Sequence, residues 1–94
     1  MKLYQYTRLR QDGTVEQLDP RKKMTLEELQ AEVAGSIEIV HSDYYPENAK
    51  WGHCTVYINE EGRFNSDNTV NPHFRDFGGD WNIVGNALKE EVAK

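Results

Sequence analysis

Cysteine is nearly absent from this chain. Of 94 residues only Cys54 carries a thiol, so no internal disulfide can form, and a reducing compartment is expected. Long apolar runs are missing too: no stretch approaches the ~18–20 residues that cross a bilayer. The opening residues, Met1 to Arg10, alternate where a signal peptide needs a continuous apolar segment, and the expectation is a cytoplasmic protein with no membrane association. Basic charge is in deficit. Eleven Lys and Arg face sixteen Asp and Glu, for a net charge of −5. That balance speaks against direct nucleic-acid binding, which calls for a basic face, and it is too mild for a mimic of DNA.

Reaction motifs are absent as well. There is no P-loop, no GxGxxG and no GxSxG; Gly78-Gly79 reads as a turn. The three histidines, His41, His53 and His73, lie 12 and 20 positions apart and fit no zinc spacing. Cys54 follows His53 directly, so in a strand the two point to opposite faces and cannot pair as nucleophile and base. A site assembled by the fold from His41, Tyr44 and Asp80 has nothing in its spacing to favour it. No metal, cofactor or catalytic residue is assigned on these grounds, and a non-enzymatic protein is expected.

What is present is a single small α+β domain over residues 1–94, with an N-terminal hairpin over residues 1–20. Its clearest stretch is Met24 to Val40. Thr25 and Glu28 form a T-x-x-E capping box, with Met24 and Leu29 at the staple positions. Glu27 and Glu28 put negative charge in the first turn, where the helix dipole favours it. Leu26, Leu29 and Val33 make one buried stripe. Gly35 is expected to take the left-handed conformation that stops the helix. Ile37 and Ile39 then alternate with Ser36 and Glu38 as a strand.

Around that helix the chain reads as sheet. Lys2 to Arg10 alternates, Gln11-Asp12-Gly13 turns, and Thr14 to Leu18 returns as the hairpin partner before Asp19-Pro20. Arg21 to Lys23 is a basic connector that could also hold an anion. Ser42 to Lys50 is a polar loop. Trp51 to Ile58 carries bulk on both faces, which marks a central strand or one that meets a partner chain. Asn59 to Gly62 turns into a short return at Arg63-Phe64; Asn71-Pro72 opens one helical turn through Phe74; Phe77 to Asp80 turns again. Trp81 to Leu88 is read as the last strand, with a bulge at Gly85, and Lys89 to Lys94 as a charged, fraying tail. The fold expected is a mostly antiparallel sheet of four to six strands with one main helix packed on one face.

Aromatic residues are plentiful: two Trp, five Tyr and three Phe. Tyr44, Tyr45, Trp51 and Trp81 are the candidates for an exposed recognition surface, since tyrosine and tryptophan give large contact area at low entropic cost. His53 and Arg75 join them as candidate binding residues.

Three segments in order, TLEELQAEVAGSIEIV, YINEEGRFNSDNTVNPHF and DWNIVGNAL, resemble the domain-of-unknown-function family 3846 of phages and bacteria. The resemblance runs over residues 25–88 and rests on Leu26, Leu29, Val33, Gly35, Ile37, Glu38, Val40, Asn59, Glu60, Glu61, Gly62, Asn71, Pro72, Gly85 and Asn86. Ala34-Gly35 stands where that pattern has two glycines, and the N-terminal hairpin lies outside it. Asn59 and Gly62 read as turn residues, and Asn71 and Asn86 as side chains that bond backbone across the sheet. The resemblance implies a small accessory protein encoded by a phage or prophage, and carries no catalytic residues. The leading expectation is an inhibitor that binds and blocks a host defence protein. The alternative is a sponge for a nucleotide-derived signal, held between subunits by stacked Tyr or Trp and by Arg21, Lys22, Lys23 or Arg75. A hydrolase of such a signal, with a histidine as general base, comes third. A two-fold homodimer is the default assembly.

Overall fold

The computed structural model describes residues 2–41, 54–64, 68–74 and 83–93. Among the described residues five strands and one helix run in the order β1 (Tyr4–Leu9), β2 (Val15–Gln17), α1 (Leu26–Val33), β3 (Ile37–His41), β4 (Thr55–Asn59) and β5 (Ala87–Val92), with short 3-10 turns at Gly62–Phe64 and Pro72–Phe74. The strands form one antiparallel sheet ordered β2-β1-β5-β4-β3. This is the expected α+β architecture, with α1 packed over β3, β4 and β5.

The sheet has two unlike faces. On one, Tyr6, Tyr57 and Leu88 meet Met24, Leu29 and Val33 from the helix side. On the other, Leu9, Val40, Cys54, Val56, Ile58 and Ala87 are covered by Phe74 and Ile83 from the connecting segments. Alternation assigns the faces, because successive side chains of a strand point to opposite sides.

The helix starts as its sequence dictates. Thr25 accepts from the Glu28 N–H, and Glu28 Oε1 accepts from the Thr25 N–H at 3.1 Å. Met24, the staple residue, is buried, but Leu26 is 57% exposed. The expected stripe of three is therefore two, Leu29 and Val33, because Met24 takes the core position beside the helix start that Leu26 was to fill.

Two further readings are corrected at α1 and β5. Ala34, not Gly35, adopts the left-handed conformation, at φ 61°. Gly35 is needed for space instead: a Cβ there would lie 2.7 Å from Asn59 Nδ2, the amide that donates to the Val33 and Ala34 carbonyls. The two neighbours should thus respond with opposite sign. Ala34→Gly relieves the left-handed penalty, at some cost in unfolded-chain entropy, and is expected to stabilise by about 0.5–1 kcal/mol. Gly35→Ala displaces the Asn59 cap and is expected to destabilise, and urea unfolding of both variants checks the pair.

The second correction concerns the last strand. It is Ala87–Val92, so Lys89, Glu90 and Glu91 lie inside the sheet rather than in a frayed tail. Pairing on both sides overrides their polarity: Leu88 and Glu90 face the helix side, Lys89 and Glu91 the other. Arg63-Phe64, read as a return strand, is part of a 3-10 turn.

Candidate functional site

The register places the helix-side residues in cross-strand rows. Ile39, Tyr57, Leu88 and Arg8 form one row, His41, Thr55, Glu90 and Tyr6 the next, and Val92 and Tyr4 the last. The helix closes over Tyr57, Leu88 and Tyr6. At this end of the sheet lies a cavity of about 230 Å³ lined by Tyr4, His41, Thr55, Glu90 and Val92 of the helix-side rows and by Cys54 and Glu91 of the opposite face.

Glu90 anchors this cavity. Its residue is only 6% exposed. Oε2 accepts from the Tyr6 hydroxyl at 2.6 Å and the Tyr57 hydroxyl at 3.1 Å. The Tyr6 oxygen in turn accepts from the Met24 N–H at 2.8 Å, tying the helix entry to the strand. Both phenols are held above the ordinary tyrosine range, first by burial and then by the Glu90 carboxylate. Lys23 Nζ lies 3.8 Å from Glu90 Oε1 and 5.5 Å from the centre of the Tyr4 ring, over which Lys2 Nζ also sits at 5.9 Å. On the other wall Thr55 Oγ1 and His41 Nδ1 are 3.3 Å apart.

A second cavity, about 260 Å³, is lined by Arg8, Arg10, Glu32, Asn86 and Ala87. Its cations are engaged. Arg8 Nε and Nη2 donate to Glu32, and its Nη1 to Glu16 at 3.1 Å; Arg10 also pairs with Glu16. Glu32 holds the Arg8 guanidinium above its ordinary value, while Arg10 and then Arg8 hold the Glu16 carboxyl below its own. This is a network of opposite charges that closes on itself.

The basic connector is likewise partly occupied: Arg21 Nη2 reaches Glu28 Oε2 at 2.7 Å, and the Arg21 backbone bridges Tyr4. Of the histidines, His41 lines the cavity, and His73 Nε2 lies 3.2 Å from the Thr14 carbonyl oxygen. The binding candidates Tyr44, Tyr45, Trp51, His53, Arg75 and Trp81 all lie outside the described residues, as do Asp80 and the Ser42–Lys50 loop. Among the described residues no three of His, Cys, Asp and Glu come together to hold a metal, and no helix is long and apolar enough to cross a membrane.

The sequence reading missed Glu90, Tyr4, Tyr6 and Tyr57. The signal was there in Ala87–Val92: carrying the alternation of Leu88 two residues further puts Glu90 on the core face.

The residues behind the family resemblance do structural work. Asn59 caps α1 and its Oδ1 accepts from the Glu61 N–H at 2.8 Å. Asn71 Nδ2 donates to the Leu9 and Gly85 carbonyls, both at 2.8 Å, and Asn86 Oδ1 accepts from the Gln11 N–H at 2.9 Å. Gly85, at φ 86°, makes the bend between the Val70–Val84 bridge and β5 that no other residue makes cheaply.

Fold and site together define a small antiparallel α+β protein with its helix packed on one sheet face. The chain belongs to the family described as Domain of unknown function (DUF3846), whose model matches residues 8–89. The match begins inside β1 and takes in β2, so it reaches further toward the N-terminus than the 25–88 resemblance. Comparison with curated proteins and with solved structures found no match.

Proposed function

We propose that this is a non-enzymatic binding protein that docks a protein partner on the open half of its helix-side sheet face. One observation carries the reading. Ile39 and Val92, each 49% exposed, lie on that face one same-face step from His41 and Glu90, and so border the cavity along β3 and β5. Protein interfaces place apolar anchors in the core of the contact, and two exposed apolar side chains beside a depression offer such anchors. At about 230 Å³ the cavity is below the ~300–1,000 Å³ of pockets that enclose whole small molecules, which favours a partner's side chain over a nucleotide-like ligand. The setting we propose is that of the resemblance: a phage or prophage accessory protein that blocks a host defence protein in the host cytoplasm, as a homodimer when free. The test is affinity capture from a lysate of the bacterial host. A stoichiometric partner is expected, lost on Ile39→Lys or Val92→Lys with the fold intact by circular dichroism. Recovery of no partner at micromolar protein, or of one indifferent to both variants, overturns the reading.

A further inference from the structure

The two oxygens of Glu90 have different surroundings. Oε2 is held by two phenols, Tyr6 and Tyr57. Among the described residues Oε1 accepts no hydrogen bond and is met by an ion pair with Lys23 Nζ at 3.8 Å, on a lysine whose side chain is 57% exposed. Glu90 is 6% exposed and lines the cavity, and a buried carboxylate oxygen held only by a long ion pair to an exposed lysine is under-satisfied, which native proteins rarely keep without a reason. The wall beside it is the Tyr4 ring, which already draws the Lys23 and Lys2 ammonium groups to within 6 Å. An aromatic face next to a buried carboxylate is a cation site. The net charge of −5 reinforces it.

The geometry points to a lysine subsite: the cavity takes the ammonium of a lysine side chain presented by the docking partner, bound to Glu90 Oε1 and lying against Tyr4. This rests on the docking reading of the same face. The occupied state of Oε2 decides between the two basic side chains. A guanidinium binds a carboxylate best through both oxygens, and one of the two is already taken by the phenols. An ammonium is a point charge with three donors and needs only the one oxygen that the phenols leave, Oε1. Lys23 is then a place-holder: its ammonium sits near both recognition groups, out of hydrogen-bond range of Oε1, and gives way when the partner's lysine enters.

The experiment titrates the full chain with Nα-acetyl-lysine amide and follows backbone amide shifts by NMR, with the arginine and norleucine analogues as comparisons. The lysine analogue is expected to shift the amides of Tyr4, Thr55, Glu90 and Val92 at millimolar concentration, the arginine analogue less, and the uncharged norleucine analogue not at all. Glu90→Gln should weaken the lysine analogue about tenfold or more, the worth of a hydrogen bond to a charged group. Lys23→Ala, which leaves the core untouched, should tighten it about two- to fivefold by removing the competing ion pair. Shifts of equal size with norleucine, tighter binding of arginine, or no gain from Lys23→Ala overturns the subsite, even where Glu90→Gln fails to fold. The docking reading fails separately. A lysate partner whose capture ignores Glu90→Gln overturns the lysine subsite alone, and lysine-specific shifts uphold the subsite's chemistry where no partner is captured.

Discussion

Asn71→Ala is expected to remove about 3–4 kcal/mol of folding stability, the largest loss from any single polar side chain described. Asn71 is 1% exposed, and its amide joins three segments. Nδ2 donates to the Leu9 carbonyl at the end of β1 and to the Gly85 carbonyl before β5; Oδ1 accepts from the His73 N–H at 3.0 Å. Alanine removes a donor from two buried carbonyls, of which that of Leu9 keeps its β5 partner in the Leu9–Ala87 pair, and the acceptor of one N–H. Each buried orphan costs about 1–3 kcal/mol, and partial relaxation keeps the sum below the simple total. Against a total of roughly 5–15 kcal/mol for a domain, that is a large share. In a chain of this size it corresponds to a fall in Tm on the order of 15 °C. Asn86→Ala is the contrast: its oxygen receives a single exposed N–H from Gln11, and the loss should stay near or below about 1 kcal/mol. Paired thermal and urea unfolding measures both. Equal losses would show that the Asn71 bonds are replaced from elsewhere and sink the claim that this amide locks the outer layer to β1.

Asn71 also shows what the sequence could and could not reveal. Its role as a backbone-bonding residue was legible from Asn-Pro at a turn, but its partners, Leu9 and Gly85, lie 62 and 14 positions away and depend on register. The helix was legible almost whole, because its capping box, staple and stripe are local. What failed there was the place of Leu26, which is exposed, and a choice between adjacent residues at the helix end. Ala34 takes the left-handed turn and leaves Gly35 to make room for an amide that arrives from β4. The last strand was misplaced for a different reason. Lys89, Glu90 and Glu91 read as solvated by composition, yet β5 pairs with β1 and β4 on either side, and a central place in the sheet is set by topology. The candidate site went with it. It is built from Tyr4 and Tyr6 at one end of the chain and Glu90 at the other, brought side by side by a pairing of the first and last strands. Attention instead fell on the aromatics Tyr44, Tyr45, Trp51 and Trp81, which local composition makes conspicuous.

Tyr6→Phe is the test of that cluster as a structural joint. Its hydroxyl carries two bonds, donating to Glu90 Oε2 at 2.6 Å and accepting from the Met24 N–H at 2.8 Å. The ring stays, so packing in the fully buried site is unchanged and the loss is that of the oxygen alone. A hydrogen bond to a charged group is worth about 1.5–3 kcal/mol, and an orphaned N–H adds to it, so the expected loss is about 3 kcal/mol. Tyr57→Phe removes one longer bond, 3.1 Å, to the same oxygen, and should lose about half as much. The order of the two variants matters more than either number, because of the two hydroxyls it is that of Tyr6 that bonds both the helix entry and β5. The pH profile gives a second, independent reading. Both phenols have folded-state pKa values raised above the ordinary value near 10, by burial first and by Glu90 next. A raised value means that the stabilisation is fully present below the unfolded pKa and is lost as pH climbs past it. Stability of the native protein should therefore fall from about pH 10 upward, and phenolate absorbance should show Tyr6 and Tyr57 ionising only as the chain unfolds. In Tyr6→Phe and Tyr57→Phe one such tyrosine disappears from the trace and the alkaline limb becomes shallower. If Tyr6 and Tyr57 ionise near the ordinary tyrosine value while the protein is still folded, the buried phenols do not hold Glu90, and both the joint and the cavity wall it supports are wrong.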